Sequence, residues 1–154
     1  MKPVLTNREG LELLRQYCNY QERCHQEVRS KGLKLGFRGD DLEELISAMI
    51  TEGLLDEERY ARSLARGKFR NNQWGRVKII QALKMHNIPE YCIRKALTEI
   101  DESEYRQTLL KLAELKNESL PGGLSDYEKK QKVISYLMQK GYEFEAIESA
   151  LGQE

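Results

Sequence analysis

The sequence predicts an all-α protein in which three small helical units repeat along the chain. Three segments carry that expectation: HQEVRSKGL (25–33), QALKMHNI (81–88) and SYLMQKGY (135–142). In each, an apolar anchor (Val28, Leu83, Leu137) is followed four residues later by one that tolerates positive φ (Gly32, Asn87, Gly141), then by an apolar or aromatic residue. This is the signature of a helix closed by a left-handed cap. The anchors recur after 55 and then 54 residues, a period that points to tandem units. Charged residues make up 32% of the chain and proline occurs only three times, which favours helices over a punctuated β fold.

One turn before each anchor stands Cys24, Ile79 or Val133, in the same register. Downstream, Ile93-Arg94-Lys95-Ala96-Leu97 matches Ile147-Glu148-Ser149-Ala150-Leu151, ten residues beyond the anchor; Leu45-Ile46-Ser47-Ala48-Met49 lies at seventeen. The difference implies a seven-residue insertion around Lys34 to Asp40. Each unit alone has too little apolar face to be stable, so stacking must bury the rest.

Nine helices follow, over 7–18, 21–32, 40–53, 57–71, 75–86, 89–100, 102–117, 126–140 and 143–151. Thr6 with Glu9 forms a capping box for the first, and Ser125 with Glu128 one for the eighth. The second, fifth and eighth carry the anchors; the third, sixth and ninth carry the matching apolar runs. Asp56 caps the fourth, with Leu55 and Tyr60 at the staple positions. Pro89 suits the first turn of the sixth. SLPGGLSD is the clearest loop and ends the seventh. The units are therefore expected at 1–55, 56–100 and 101–154.

Charge is segregated although the chain is neutral overall. Residues 40–58 hold eight acids and no base, whereas Arg59 to Lys78 holds seven bases and no acid. At 100° per residue, Arg59, Arg66 and Arg70 fall within about 40° of one another and Arg62 about 60° from Arg59. Tyr60, Ala61, Leu64, Ala65 and Phe69 occupy the opposite half, so one face packs inward and the other presents guanidinium groups. Lys68 projects from the apolar side, its stem reaching outward. A solvated face paired with the acids of the third helix is the plain reading. No acid interleaves at i+3 or i+4 within the run, however, and exposed ion pairs contribute only about 0–1 kcal/mol, so a docking surface for an anionic partner is the stronger one. Arg59, Arg62, Arg66 and Arg70, with Arg76 and Lys78 beyond them, are the candidate contacts. The reading requires an outward ridge that is not locked to the chain's own carboxylates. Four DNA phosphates would give a salt slope of about −3.6, modest for a dedicated DNA binder. A two-signed surface suits a protein, or protein and nucleic acid together.

The run Gly53-Leu54-Leu55-Asp56-Glu57-Glu58-Arg59-Tyr60-Ala61, followed by Trp74-Gly75 and then Ile79, Leu83 and Ile88, resembles the central signature of the RecX family of recombination regulators. Upstream, Cys24-His25-Gln26-Glu27-Val28 resembles that family's Ser-x-x-Glu-Leu element. Gln73 stands where the family often has Gly, Asn87 replaces a usual Gly, and Ala82 a frequent Glu. The resemblance, over about residues 8 to 151, implies an elongated, curved array of three tandem three-helix repeats. It further implies a partner, the RecA recombinase filament on DNA, whose ATP hydrolysis and strand exchange the protein restrains. Single- or double-stranded DNA is a further expected partner, and the protein is expected to be a monomer. The family match does not single out the arginine stripe.

Catalysis finds no support in the inventory. Cys24 and His25 are adjacent, but the remaining Cys and His lack ligand spacing, so buried helix-face thiols are expected rather than zinc. Arg66-Gly67-Lys68-Phe69 lacks the rest of a phosphate loop, and Gly122-Gly123 lacks a preceding strand. No cofactor and no enzyme activity are expected. Trp74 at a helix junction is read as core, with stacking on a base or partner as the alternative. The N-terminus, MKPVLTNREGLELL, reads as neither signal peptide nor membrane span. Three irregularly spaced cysteines do not suggest a secreted framework, so a cytoplasmic protein is expected. The competing functions are an independent helix-turn-helix-like DNA binder, with the fifth or sixth helix in a groove, and an inert helical scaffold.

Overall fold

The computed structural model describes residues 4–152; the expected outer limits at residues 1 and 154 lie outside them. Among the described residues there are nine α-helices and no strand: α1 (Asn7–Tyr20), α2 (His25–Lys34), α3 (Gly39–Thr51), α4 (Glu57–Asn72), α5 (Arg76–Met85), α6 (Glu90–Leu97), α7 (Glu102–Ser119), α8 (Asp126–Gln139) and α9 (Phe144–Leu151). They pack in consecutive groups of three, α1 with α2 and α3, α4 with α5 and α6, and α7 with α8 and α9.

Local chemistry sets most helix starts. Thr6 and Glu9 exchange bonds across α1's first turn, and Ser125 and Glu128 do the same for α8. Asp56 and Asp101 accept from the backbone N–H of Arg59 and Glu104, capping α4 and α7. Tyr60 and Tyr105 each follow their capping aspartate by four residues and are buried, a second repeat that the anchor pattern does not reveal. Glu27 accepts from the Cys24 N–H, so α2 begins at His25, four residues later than periodicity suggests. Pro89 is the N-cap of α6 rather than its first residue.

The anchors Val28, Leu83 and Leu137 are fully buried, as are Cys24 and Ile79. Two of the three left-handed caps stand where expected, with Asn87 at φ 57° and Gly141 at φ 100°. The first does not. Gly32 lies inside α2 under Leu42, which would occupy the space of any Cβ there, and the cap is Gly36 at φ 102°. The closing bonds confirm the shift: Phe37, Ile88 and Tyr142 donate to the carbonyls of Gly32, Leu83 and Leu137 respectively. With Phe37 in register, Leu42, Leu45 and Ile46 fall on Ile93, Ala96 and Leu97. The expected seven-residue insertion between α2 and α3 is thus absent; α2 places its cap one turn later, and α3 is the longer third helix of its unit.

Buried side chains form two cores. Leu14, Val28, Phe37, Leu45, Met49 and Leu55 belong to the first, within α1–α3 and the following turn. The second runs through α4–α9 and takes Cys24 across from α2. Leu55 and Tyr60 therefore face different cores, and the expected staple between them does not form.

Two seams join the three groups. At the first, Arg59 Nε donates to Glu22 at 2.7 Å, the His25 N–H to Glu57 at 3.1 Å, and His86 Nδ1 lies 3.1 Å from the Gln26 amide oxygen. At the second, the Gly75 N–H donates to the Lys140 carbonyl at 2.8 Å and the Val77 N–H to the Gly141 carbonyl at 2.9 Å. Tyr105 lies 5.8 Å from Phe69 and 5.0 Å from Tyr142, ring centre to ring centre. Its hydroxyl accepts from the Arg76 N–H and donates to Glu143. The first residues of α2 and α5 thus have their N–H groups satisfied by the next group of helices, whereas α8 is capped within its own first turn.

Candidate partner-binding surface

Helix α4 turns Tyr60, Ala61, Ala65 and Phe69 into the core and leaves its arginines on the other side, as the wheel predicts. What those arginines meet differs from the expectation. Arg62 pairs with Glu58, one turn earlier, at 3.0 Å and with Glu99, just past α6, at 2.6 Å; Arg66 reaches the other Glu99 oxygen at 3.0 Å. Hydrogen bonds from Arg62 and then Arg66 hold the Glu99 carboxyl below the usual carboxylate range. Arg59 pairs with Glu22, and Arg76 with Glu102 and Glu143. The stripe is therefore not free of interleaving acid. Four of its members are locked to the chain's own carboxylates, although Arg59 and Arg66 keep 43% and 41% of their side chains exposed.

The α3 acids are not the partners. Glu43 takes Arg29 and Glu52 takes Arg15, both inside the first group of helices. Asp56 caps α4 and Glu57 crosses the first seam. Apart from Glu58 with Arg62, the ion pairs of the two blocks reach beyond a single helix.

Arg76 is the most enclosed of the four ion-paired arginines, with 18% of its side chain exposed. Its guanidinium stacks 3.9 Å from the Tyr105 ring centre. Burial opposes its charge, but Glu143, Tyr105 and Glu102 together outweigh this and push the group upward. Arg76 is chiefly a seam residue. Arg70 and Lys78 have no ion pair among the described residues. Arg70 is exposed on the last turn of α4, and Lys78 lies over the Trp74 ring at 4.7 Å. Lys68, not among the candidate contacts, covers the same ring at 4.9 Å. Trp74 is half-buried against the second core, so it is both packing and surface. A tryptophan just past a helix end, with lysines six before and four after, was the signal available for this cluster.

The first turn of α5 is not open to a ligand. The Arg76 N–H is held by the Tyr105 hydroxyl and the Val77 N–H by the Gly141 carbonyl. Helix α6 opens with Pro89 and Glu90, with no base in its first turn. Cys18, Cys24 and Cys92 are buried and unpaired, and burial pushes each thiol up. No described helix is long and apolar enough to cross a membrane.

Comparison with known proteins agrees with this architecture. Sequence models of the RecX second and third three-helix domains match residues 56–97 and 103–151. The regulatory protein RecX of Chlorobaculum tepidum is 30% identical over 132 residues, covering 83% of this chain and 79% of its own. That of Clostridium perfringens is 31% identical over 128 residues, 82% of this chain; the chain spans only 59% of that relative's length. The crystal structure of RecX from Lactobacillus salivarius superposes with a TM-score of 0.86 at 23% identity, over 95% of this chain and 94% of that one, and so shares the fold. Three consecutive helix triplets, both domain matches and a relative aligned over most of both chains lead to one conclusion: the chain belongs to the RecX family of regulatory proteins.

Proposed function

We propose that this chain is a noncatalytic, cytoplasmic regulator that binds RecA recombinase filaments on DNA, as a monomer, and mainly inhibits their ATP hydrolysis and strand exchange. The observation that carries the reading is family membership over three helix triplets, in relatives named as regulatory proteins. The physical logic is linkage: an array contacting neighbouring subunits shifts the filament toward whichever state it binds more tightly. We place the contact surface on α4 and the start of α5, comprising Arg59, Arg62, Arg66, Arg70, Arg76 and Lys78. Within it Arg70 and Lys78 are the outer contacts, because a guanidinium already shared with a carboxylate attracts a second anion less. The units act as 1–55, 56–100 and 101–154.

The test is the ATPase of the cognate recombinase on single-stranded DNA. The parent should inhibit, and Arg70→Glu with Lys78→Glu should weaken inhibition about tenfold, a loss of roughly 1.4 kcal/mol of binding. Arg62→Glu is a poor probe, since it would set three carboxylates against one another at Glu58 and Glu99. The helix-turn-helix-like alternative requires the start of α5 or α6 to enter a groove. The enclosed first turn of α5 and the acidic start of α6 weigh against it. Absence of any ATPase effect, together with tight binding to duplex DNA, would favour that alternative.

A further inference from the structure

Cys24 and Cys92 are buried to the same degree in the same core, at 0% and 1% exposure, yet they belong to different triplets. Cys92 stands on α6, inside the body that owns this core. Cys24 precedes α2, and every other buried apolar side chain of residues 4–55 faces the first core instead. The seam around it is held by three side-chain bonds, Arg59 to Glu22, the His25 N–H to Glu57, and His86 with Gln26. It also carries a cost: Glu22 gives one oxygen to Arg59, but its other, Oε1, is enclosed with no donor among the described residues. An enclosed acceptor without a partner is destabilising, and parting the seam returns it to water. The backbone divides at the same place. Leu54 and Leu55 both donate to the Met49 carbonyl at the end of α3, while Asp56 caps α4, so the two bodies meet at the single link between Leu55 and Asp56.

We propose that α1–α3 parts from α4–α9 as an intact body in the native protein, pivoting at Leu55–Asp56 and drawing Cys24 out of the second core while both cores stay folded. Parting breaks the three side-chain bonds and uncovers one small thiol, whereas unfolding either body would expose a whole core. Openings of so little surface lie at the low end of a protein's range of free energies. A partner that spans both bodies holds the seam shut, and one that grips a single body leaves it free, so the equilibrium is coupled to whatever the array touches. The inference goes beyond the filament reading and does not depend on it.

The matched burial of the two thiols makes the test direct. The full chain, without recombinase, is exposed to iodoacetamide in native buffer, and each cysteine's labelling rate is read by peptide mass mapping and divided by its rate in the urea-unfolded chain. Cys24 should label at least about tenfold faster than Cys92, with a urea dependence well below that of global unfolding. Glu57→Ala removes the acceptor of the His25 N–H and should speed Cys24, and not Cys92, by about fivefold, the worth of one ordinary hydrogen bond. Should that variant lose helical content, about 1 M salt on the parent reads the same change by screening Arg59 from Glu22. Amide exchange separates parting from fraying: the Val28 N–H donates to the Cys24 carbonyl within α2's own first turn and should stay protected while Cys24 labels. Equal rates for Cys24 and Cys92, an unchanged Cys24 rate in the folded variant or in salt, or exchange at Val28 as frequent as labelling at Cys24 would each overturn the proposal. Because no recombinase is present, these failures leave the ATPase reading standing.

Discussion

The two seams are built from different materials. The first, between α1–α3 and α4–α6, is tied by side chains: Arg59 to Glu22, Glu57 to the His25 N–H, and His86 to Gln26. The second, between α4–α6 and α7–α9, has side-chain bonds too, from Arg76, Tyr105, Lys140 and Tyr142, but adds two backbone bonds, three stacked aromatic rings and a glycine contact. A Cβ on Gly75 would fall inside the van der Waals radii of the Gly141 carbonyl and the Tyr142 nitrogen. Long side chains can re-aim while keeping a bond, whereas backbone in contact with backbone cannot. The first seam therefore lacks the backbone-to-backbone contact of the second, which joins α4–α9 around a shared core.

The largest effect expected from breaking this contrast is that of Gly75→Ala. With backbone on both sides neither partner can yield, and the change should cost about 3 kcal/mol or more, read as a lower urea midpoint. Tyr105→Phe comes next. It strips the Arg76 N–H of its acceptor and Glu143 of a donor while leaving the ring stack, and should cost about 1–3 kcal/mol in the same assay.

Gln73→Gly should act in the opposite direction. Gln73 sits at φ 54°, a conformation that strains a residue with a Cβ, and its carbonyl accepts from the Tyr142 hydroxyl across the second seam. Glycine keeps that carbonyl and removes the strain, so the urea midpoint should rise by up to about 1 kcal/mol in stability after its extra chain entropy is offset. The smallest effect belongs to the first seam. Glu22→Gln should cost under about 1 kcal/mol, and the difference from the parent should vanish in about 1 M salt, where exposed charges are screened within a few ångströms. A cost as large as that of Gly75→Ala would abolish the contrast.

Much of the fold could be read from the sequence because it is locally encoded. Thr6, Asp56 and Ser125 act within one turn, and Val28, Leu83 and Leu137 mark a periodic inner face. The first unit was misregistered because Gly32 followed by Leu33 imitates a capping glycine, while its actual role is to let Leu42 approach α2. The better cue was Leu35-Gly36-Phe37, which matches Lys140-Gly141-Tyr142 down to the bulky residue after the cap. The arginine ridge was correctly placed on α4, but its partners were not accessible. Arg59 and Glu22, like Arg62 and Glu99, are 37 residues apart, and only packing brings them together. Counting acids inside the run also overlooked Glu58, which stands just before it.

The borrowed start of α2 bears on how the chain is made. A nascent chain leaves the ribosome N-terminus first. The opening N–H of α2 nevertheless waits for Glu57 and that of α5 for Tyr105, each supplied by a segment translated later. The first and second triplets are thus each finished by the one behind, and their maturation should run back toward the N-terminus, against the direction of synthesis.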